Sequence, residues 1–334
     1  MSRFTSILSG RDKLLAMPIL TYPGTRLVNA TVRDVVTDPV KQASAQLALH
    51  ERFNTQVLLA AMDLSAEVEA FGGKAVISDW EVPAVPGRVV TDAKQVRELG
   101  VPEPGACRTG VYLEVVRLLR DAGKDAVILG GMIGPFSLAA RLYGVSETLQ
   151  LTIENANLAN VLLEKSTEFL AAYAAAFKAA GADGVIMAEP TAGLLSPRAL
   201  RDFSSVWVRR IVDGVDDSRF TLVYHSCSVK LVHLEAAIGS GAKAFHFGAP
   251  MDIGAALDRV PPNIVISGNL DPTNVFYRRT PAEVEAEVKR LLAAASGHNN
   301  FVLSSGCDIP PRTPMENIEA FFRAAETAVT LGLT

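Results

Sequence analysis

A repeated alternation constrains this chain more than any other feature. A short apolar run rich in β-branched residues is followed by a helical pattern, and the unit recurs along 334 residues. Eight candidate strands emerge, at 17–22 (MPILTY), 55–63 (TQVLLAAMD), 125–131, 183–190, 220–227 (FTLVYHSC), 243–248, 263–271 and 300–308 (NFVLSSGCD). The stretches between them read as helices. One covers 39–53. Those at 196–214 and 228–241 end in glycine, a usual helix stop. Those at 280–297 and 313–329 open on Thr-Pro, a cap followed by proline in the first turn.

Alternating strand–helix units imply a parallel sheet covered on both faces. Eight of them imply an α/β fold closed into a (β/α)8 TIM barrel rather than an open sheet. A chain that is 49% hydrophobic can fill such a core as one domain over residues 1–334. Two regions depart from the plain pattern. Residues 66–110 are rich in Pro and Gly and predict an N-terminal hairpin excursion; 136–180 carries two helical patterns where one would suffice.

Composition then removes whole classes of function. A net charge of −4 and a pI near 5.8 argue against a nucleic-acid-binding surface. No apolar run approaches the ~20 residues a membrane span needs, and the N-terminus lacks the apolar core of a secretion signal. Three cysteines are too few and too odd in number for a disulfide framework, and suit a reducing, cytoplasmic setting. The expectation is a soluble cytoplasmic protein, with homo-oligomerisation left open.

In a parallel barrel, chemistry gathers at the C-terminal ends of the strands. The expected ends carry Asp63, Glu189, His225 with Cys227, His246, Asn269 with Asp271, and Cys307 with Asp308. Closure would bring all of them to one mouth. His225, Cys227 and Cys307 can then form a three-ligand metal site with an open fourth position, an arrangement known for catalytic zinc. Thiolate and imidazole favour Zn2+ over magnesium or calcium. Gly306, just before Cys307, reads as a sharp backbone turn. The alternative is that each Cys is a small core hydrophobe, the reading assigned to Cys107. Glu189 is a candidate fourth ligand, acid/base group or ion-pair partner. His246 is a candidate substrate contact, with packing as the plainer alternative. His233, His50 and His298 receive no role.

Five stretches carry a family resemblance: GGMIGPFSLAARLYG (130–144), EPTAGLLSPRALRDF (189–203), HSC (225–227), ISGNLDP (266–272) and SSGCDIPPRTPMENIEAFF (304–322). They span roughly the last two-thirds of the chain, with a looser match at MPILTYPGT (17–25). The chain resembles the uroporphyrinogen decarboxylase superfamily, and within it the zinc-dependent corrinoid:thiol methyltransferases of the methylcobalamin:coenzyme M type. That branch holds zinc with His-x-Cys and a distant Cys, matched here by His225, Cys227 and Cys307. The decarboxylase branch carries an arginine-rich N-terminal segment; residues 17–34 lack that arrangement, although Arg26 and Arg33 lie nearby.

The resemblance implies one zinc per chain, methylcobalamin or another corrinoid as methyl donor, a corrinoid protein as partner, and a small thiol acceptor such as coenzyme M. Glu189 would then fill the fourth metal position or take the thiol proton. Gly131 and Gly134 would let a flat macrocycle approach the backbone, or merely form a tight strand-to-helix turn. Asp63, Asn269 and Asp271 are candidate substrate contacts, the last two equally candidates for a structural turn. Rival readings are a metal-free decarboxylase, a zinc–thiol transferase using a folate, homocysteine or an epoxide, and a non-catalytic corrinoid carrier with a structural zinc.

Overall fold

Seven strands run parallel and pair in chain order: β1 (Val57–Leu59), β2 (Val127–Ile133), β3 (Gly184–Ala188), β4 (Thr221–Ser226), β5 (Ala244–Phe247), β6 (Val265–Leu270) and β7 (Phe301–Ser305). The structure, a computed structural model, describes residues 16–330. The stretch 1–15, and with it the reading of no secretion signal, lies outside the described residues.

The first expected strand is the exception. Residues 17–22 run alongside β7, but only a single parallel bridge, Ala16 to Leu303, forms. Met17 N–H donates to Leu303 O (2.8 Å) and Ile19 O accepts from Ile309 N (3.0 Å). Pro18 has no N–H to add to a ladder, and the chain soon bends into the tight turn Pro23–Arg26. On its other side, Gln46 from the helix Pro39–Phe53 stands where ladder bonds to β1 would be. Its amide donates to Leu20 O (2.9 Å) and its carbonyl accepts from Leu59 N (3.2 Å). A side chain thus bridges the seam and gives Leu20 O and Leu59 N their partners.

Closure shows in the packing. A buried cluster inside the ring takes Met17 and Ile19 from the seam segment, Leu59 from β1, Val127 and Leu129 from β2, Ile186 and Ala188 from β3, Val223, Ala244 and Val302. Members on one element alternate, as the two-residue period of a strand requires. A second, larger cluster lies between the strands and the surrounding helices. The fold is therefore a TIM-barrel-like α/β barrel with seven laddered strands, its eighth position filled by an extended segment.

The expected excursion is a hairpin, pinned by paired hydrogen bonds between Val76 and Ala84 (2.8 and 3.2 Å). Arg33 pairs with Asp79 (2.7 Å) and ties it to the helix Val32–Thr37. The 136–180 region holds three helices rather than two, Pro135–Tyr143, Val145–Glu154 and Ala156–Ala179, because Gly144 at φ 111° breaks the first from the second. The helix expected over 196–214 is interrupted by a wider turn at Arg201–Ser205 and ends at Val215, one residue past the glycine. The Thr280–Pro281 start holds: Thr280 and Glu283 cap each other reciprocally. Among the described residues no helix is long and apolar enough to cross a membrane.

Candidate metal centre

Strand periodicity decides which side chains stand above the apolar barrel floor. Val223, Ala244 and Val302 belong to that floor. Two residues further along each strand come His225, His246 and Ser304, facing the same way. The β4–β5 register sets His225 beside His246. Cys227 follows His225 by two more positions, just past the end of β4. Cys307 arrives from β7, where the chain bends at Gly306 and Cys307.

The ligand atoms of His225, Cys227 and Cys307 all lie within 4.8 Å of one another. His225 Nε2 is 3.5 Å from Cys307 Sγ. Metal–ligand distances of about 2.3 Å for sulfur and about 2.0–2.1 Å for nitrogen give a tetrahedral N–S edge of about 3.5 Å. The donor set therefore fits zinc without rearrangement at that edge. His225 is buried, whereas both cysteines are partly exposed toward the mouth.

The two thiols do not behave alike. A hydrogen bond from Cys307 pulls Cys227 down to about 7, against the effect of burial. The same contact, with burial and the nearby Cys227 charge, pushes Cys307 well above its ordinary value. Burial lowers His225 to about 4, so its ring is neutral at pH 7. One ready thiolate and a neutral imidazole are the forms a metal requires.

Behind this trio runs a line of buried polar atoms. His225 Nδ1 contacts His246 O (3.0 Å) and His246 Nδ1 (2.8 Å). His246 Nε2 contacts Ser304 Oγ (2.7 Å), which donates to Met17 O (2.5 Å). His246 is fully buried, and both of its ring nitrogens lie against protein atoms, His225 Nδ1 and Ser304 Oγ.

Among the described residues, the cluster of ligand atoms takes in none of the other expected site residues. The Glu189 carboxylate is fully buried at the start of the helix Pro135–Tyr143. It accepts from Phe136 N and Ser137 N (both 2.9 Å), Ser137 Oγ (2.6 Å) and Ser204 Oγ (3.3 Å), which occupies both oxygens. Gly134 gives it room: a Cβ there would come within 2.3 Å of Glu189 Cγ. A Cβ on Gly131 would meet Ala60 O at 2.9 Å. Both glycines thus admit parts of the chain itself. Asp63 is buried, bonded to Arg108, Tyr112 Oη (2.7 Å) and Ser65. Asn269 Nδ2 donates to Gly248 O (3.1 Å) and Met251 O (2.6 Å), bracing the loop after β5. Asp271 caps the turn Pro272–Tyr277 through Thr273 N and Asn274 N. Cys107, expected in the core, is exposed at φ 50°.

Gly248 escaped the reading of the sequence, and Gly306 and Asp308 were read there without the contacts they make. Gly248 holds the loop after β5 against Cys227, and only its contacts reveal that. Gly306 has no left-handed φ; its need is space, since a Cβ would meet Ala249 N at 2.9 Å. Asp308 accepts from Thr21 N (3.2 Å) and Thr21 Oγ1, joining the Cys307 loop to the seam segment; burial raises it to about 7.

The known proteins this chain is similar to include both methyltransferases and decarboxylases. Over 293 residues, 86% of this chain and 85% of the other, the chain is 29% identical to a methylcobamide:CoM methyltransferase, MtbA, from Methanosarcina acetivorans. It is 32% identical over 248 residues to a uroporphyrinogen decarboxylase from Azotobacter vinelandii, covering 71% and 69% of the two chains. A methyltransferase from Methanosarcina mazei superposes with a TM-score of 0.88 at 25% identity over 97% of both chains. A B12-independent methionine synthase from Shewanella shares the fold at a TM-score of 0.60 and 13% identity, over 96% of both chains. A family model described as uroporphyrinogen decarboxylase (URO-D) matches residues 16–328, nearly everything the structure describes, and the chain belongs to that family.

Proposed function

We propose that this protein is a zinc-dependent methyltransferase that moves a methyl group from a methylated corrinoid, carried by a partner protein, to a small thiol such as coenzyme M. The observation that carries the reading is the convergence of ligand atoms from His225, Cys227 and Cys307, with no fourth His, Cys, Asp or Glu in that cluster among the described residues. A structural zinc would be closed by four protein ligands. Relatives named for methyl transfer from a methylcobamide to CoM support the same chemistry.

Zinc held by these three side chains would supply the Lewis acidity that makes an acceptor thiol ionise near neutral pH. In the transfer itself the cobalt–carbon bond breaks with its electron pair left on the corrinoid. The new sulfur–carbon bond forms from the acceptor's lone pair, and the acceptor's proton goes to solvent. With zinc bound, Cys227 and Cys307 would both lose their protons and bring negative charge, which would limit how much electron density the centre draws from the acceptor. Cys227 and Cys307 are partly exposed, so donor and acceptor can reach them. Glu189, His246, Gly131 and Gly134 are assigned to holding the site rather than touching substrate, as their partners above require. The location of such an enzyme is assigned to the cytoplasm on its free cysteines.

Metal analysis of the purified protein beside Cys307→Ala, followed by methyl transfer from methylcobalamin to a panel including coenzyme M and homocysteine, tests the reading. About one zinc per chain, lost in the variant, with methylated thiol formed only by the wild type, is the expected result. A second reading, metal-free decarboxylation, is favoured by the relatives of that name at 31–32% identity. A wild type that stays metal-free when zinc is offered would leave that reading standing.

A further inference from the structure

We propose that His246 is a positioning residue for the candidate metal centre: it locks the His225 ring with Nε2 unprotonated and aimed at the cysteine sulfurs, and Ser304 in turn locks His246. The inference rests on the metal reading above and extends it to residues behind the trio.

The direction of the hydrogen-bonded line follows from its ends. A carbonyl oxygen can only accept. His225 Nδ1 lies 3.0 Å from the carbonyl of His246, so the His225 proton sits on Nδ1. Its Nε2 is then a bare lone pair, 3.5 Å from Cys307 Sγ. The same Nδ1–H faces His246 Nδ1 at 2.8 Å, which must therefore be the unprotonated nitrogen of that ring. His246 carries its proton on Nε2 and donates to Ser304 Oγ (2.7 Å). Ser304 has its own proton left for Met17 O, 2.5 Å away. Reversing the line would leave the carbonyl oxygens of His246 and Met17 without the donors that now face them.

Every member is buried to 0–1% exposure, except that Met17 is at 4%, so water does not compete for these bonds. A ligating histidine commonly has its far nitrogen held by a carbonyl or carboxylate, and loss of such a partner weakens metal binding 10–100-fold. Here one residue supplies both a carbonyl and a side-chain acceptor. The line ends on the seam segment, so the orientation of a ligand from β4 depends on the extended segment that completes the ring.

Two measurements test this. The 15N imidazole spectrum of the metal-free wild type should show His225 protonated on Nδ1 and His246 on Nε2. Zinc affinity by chelator competition, with the cobalt(II) absorption spectrum as a second readout, should fall about 10–100-fold in His246→Leu. His246→Asn, whose side-chain oxygen replaces Nδ1, should recover most of the loss. Ser304→Ala should weaken zinc binding and mix the His246 tautomers. A wild-type His225 protonated on Nε2 would overturn the proposal. So would a folded His246→Leu with wild-type affinity and cobalt spectrum. If circular dichroism shows that His246→Leu does not fold, His246→Asn and Ser304→Ala decide in its place, and unchanged affinity and tautomers in both overturn the proposal. A wild type that binds no zinc overturns the metal reading and with it this role for His246; wild-type zinc binding with the wrong tautomer overturns the positioning alone.

Discussion

Gly248 lies so close to Cys227 that a Cβ on it would sit 2.4 Å from the Cys227 carbonyl oxygen and 2.6 Å from its Cα. Both contacts are with backbone, which cannot swing aside as a long side chain can. Gly248→Ala must therefore push Cys227 away from His225 and Cys307. We expect a loss of about 1–3 kcal/mol in unfolding free energy and a zinc affinity at least tenfold weaker. Denaturant titration and chelator competition on the same sample check both.

The seam makes a separate prediction. Gln46→Leu keeps the volume but removes the acceptor of Leu59 N and the donor to Leu20 O. Each buried backbone group left without a partner costs about 1–3 kcal/mol. Unfolding free energy should fall by about 2–4 kcal/mol, with little change in zinc affinity of the folded protein.

Glu189 separates a structural from a chemical role. Glu189→Ala strands the donors from Phe136, Ser137 and Ser204 and should destabilise by about 3 kcal/mol or more. Glu189→Gln retains most acceptor capacity. Its methyl-transfer rate per folded molecule should stay within about threefold of wild type. A drop of 100-fold or more at unchanged stability would make Glu189 a participant in the reaction.

Glu67 predicts how stability depends on pH. It is buried, accepts from Ile133 N (2.9 Å) through one oxygen, and has no partner for the other. Burial raises it to about 8 from an ordinary 4.5. The folded state therefore holds this proton more tightly than the unfolded chain. Its contribution to stability is present below about 4.5 and is lost as pH rises toward 8. Asp308, raised to about 7, acts with the same sign. Glu67→Gln should flatten part of the decline and be more stable than wild type at pH 8, by on the order of 1–3 kcal/mol. Chemical denaturation from pH 5 to 8 gives the two slopes.

Metal should be linked to folding. A ligand that binds only the native state adds about 4 kcal/mol at a thousandfold excess over its Kd. Free zinc should raise the melting temperature of the wild type, and a chelator should reverse it. Cys227→Ala should respond to neither.

The strand–helix alternation and the polar residues closing each apolar run determined the barrel and its mouth, and made His225, Cys227 and Cys307, the last eighty positions beyond Cys227, candidates to meet there. These follow from periodicity and chain order, which fix faces and ends. Tertiary structure decided what periodicity cannot encode, namely which atoms fill the space between elements. It made the first strand an extended seam sealed by Gln46. It set the Glu189 carboxylate at the start of the helix Pro135–Tyr143, and placed His246 against His225 Nδ1. It also explained Gly131, Gly134, Gly248 and Gly306 by the chain's own backbone and side chains. Each of those outcomes depends on side-chain direction and cross-element distance, and these are settled only when the ring closes.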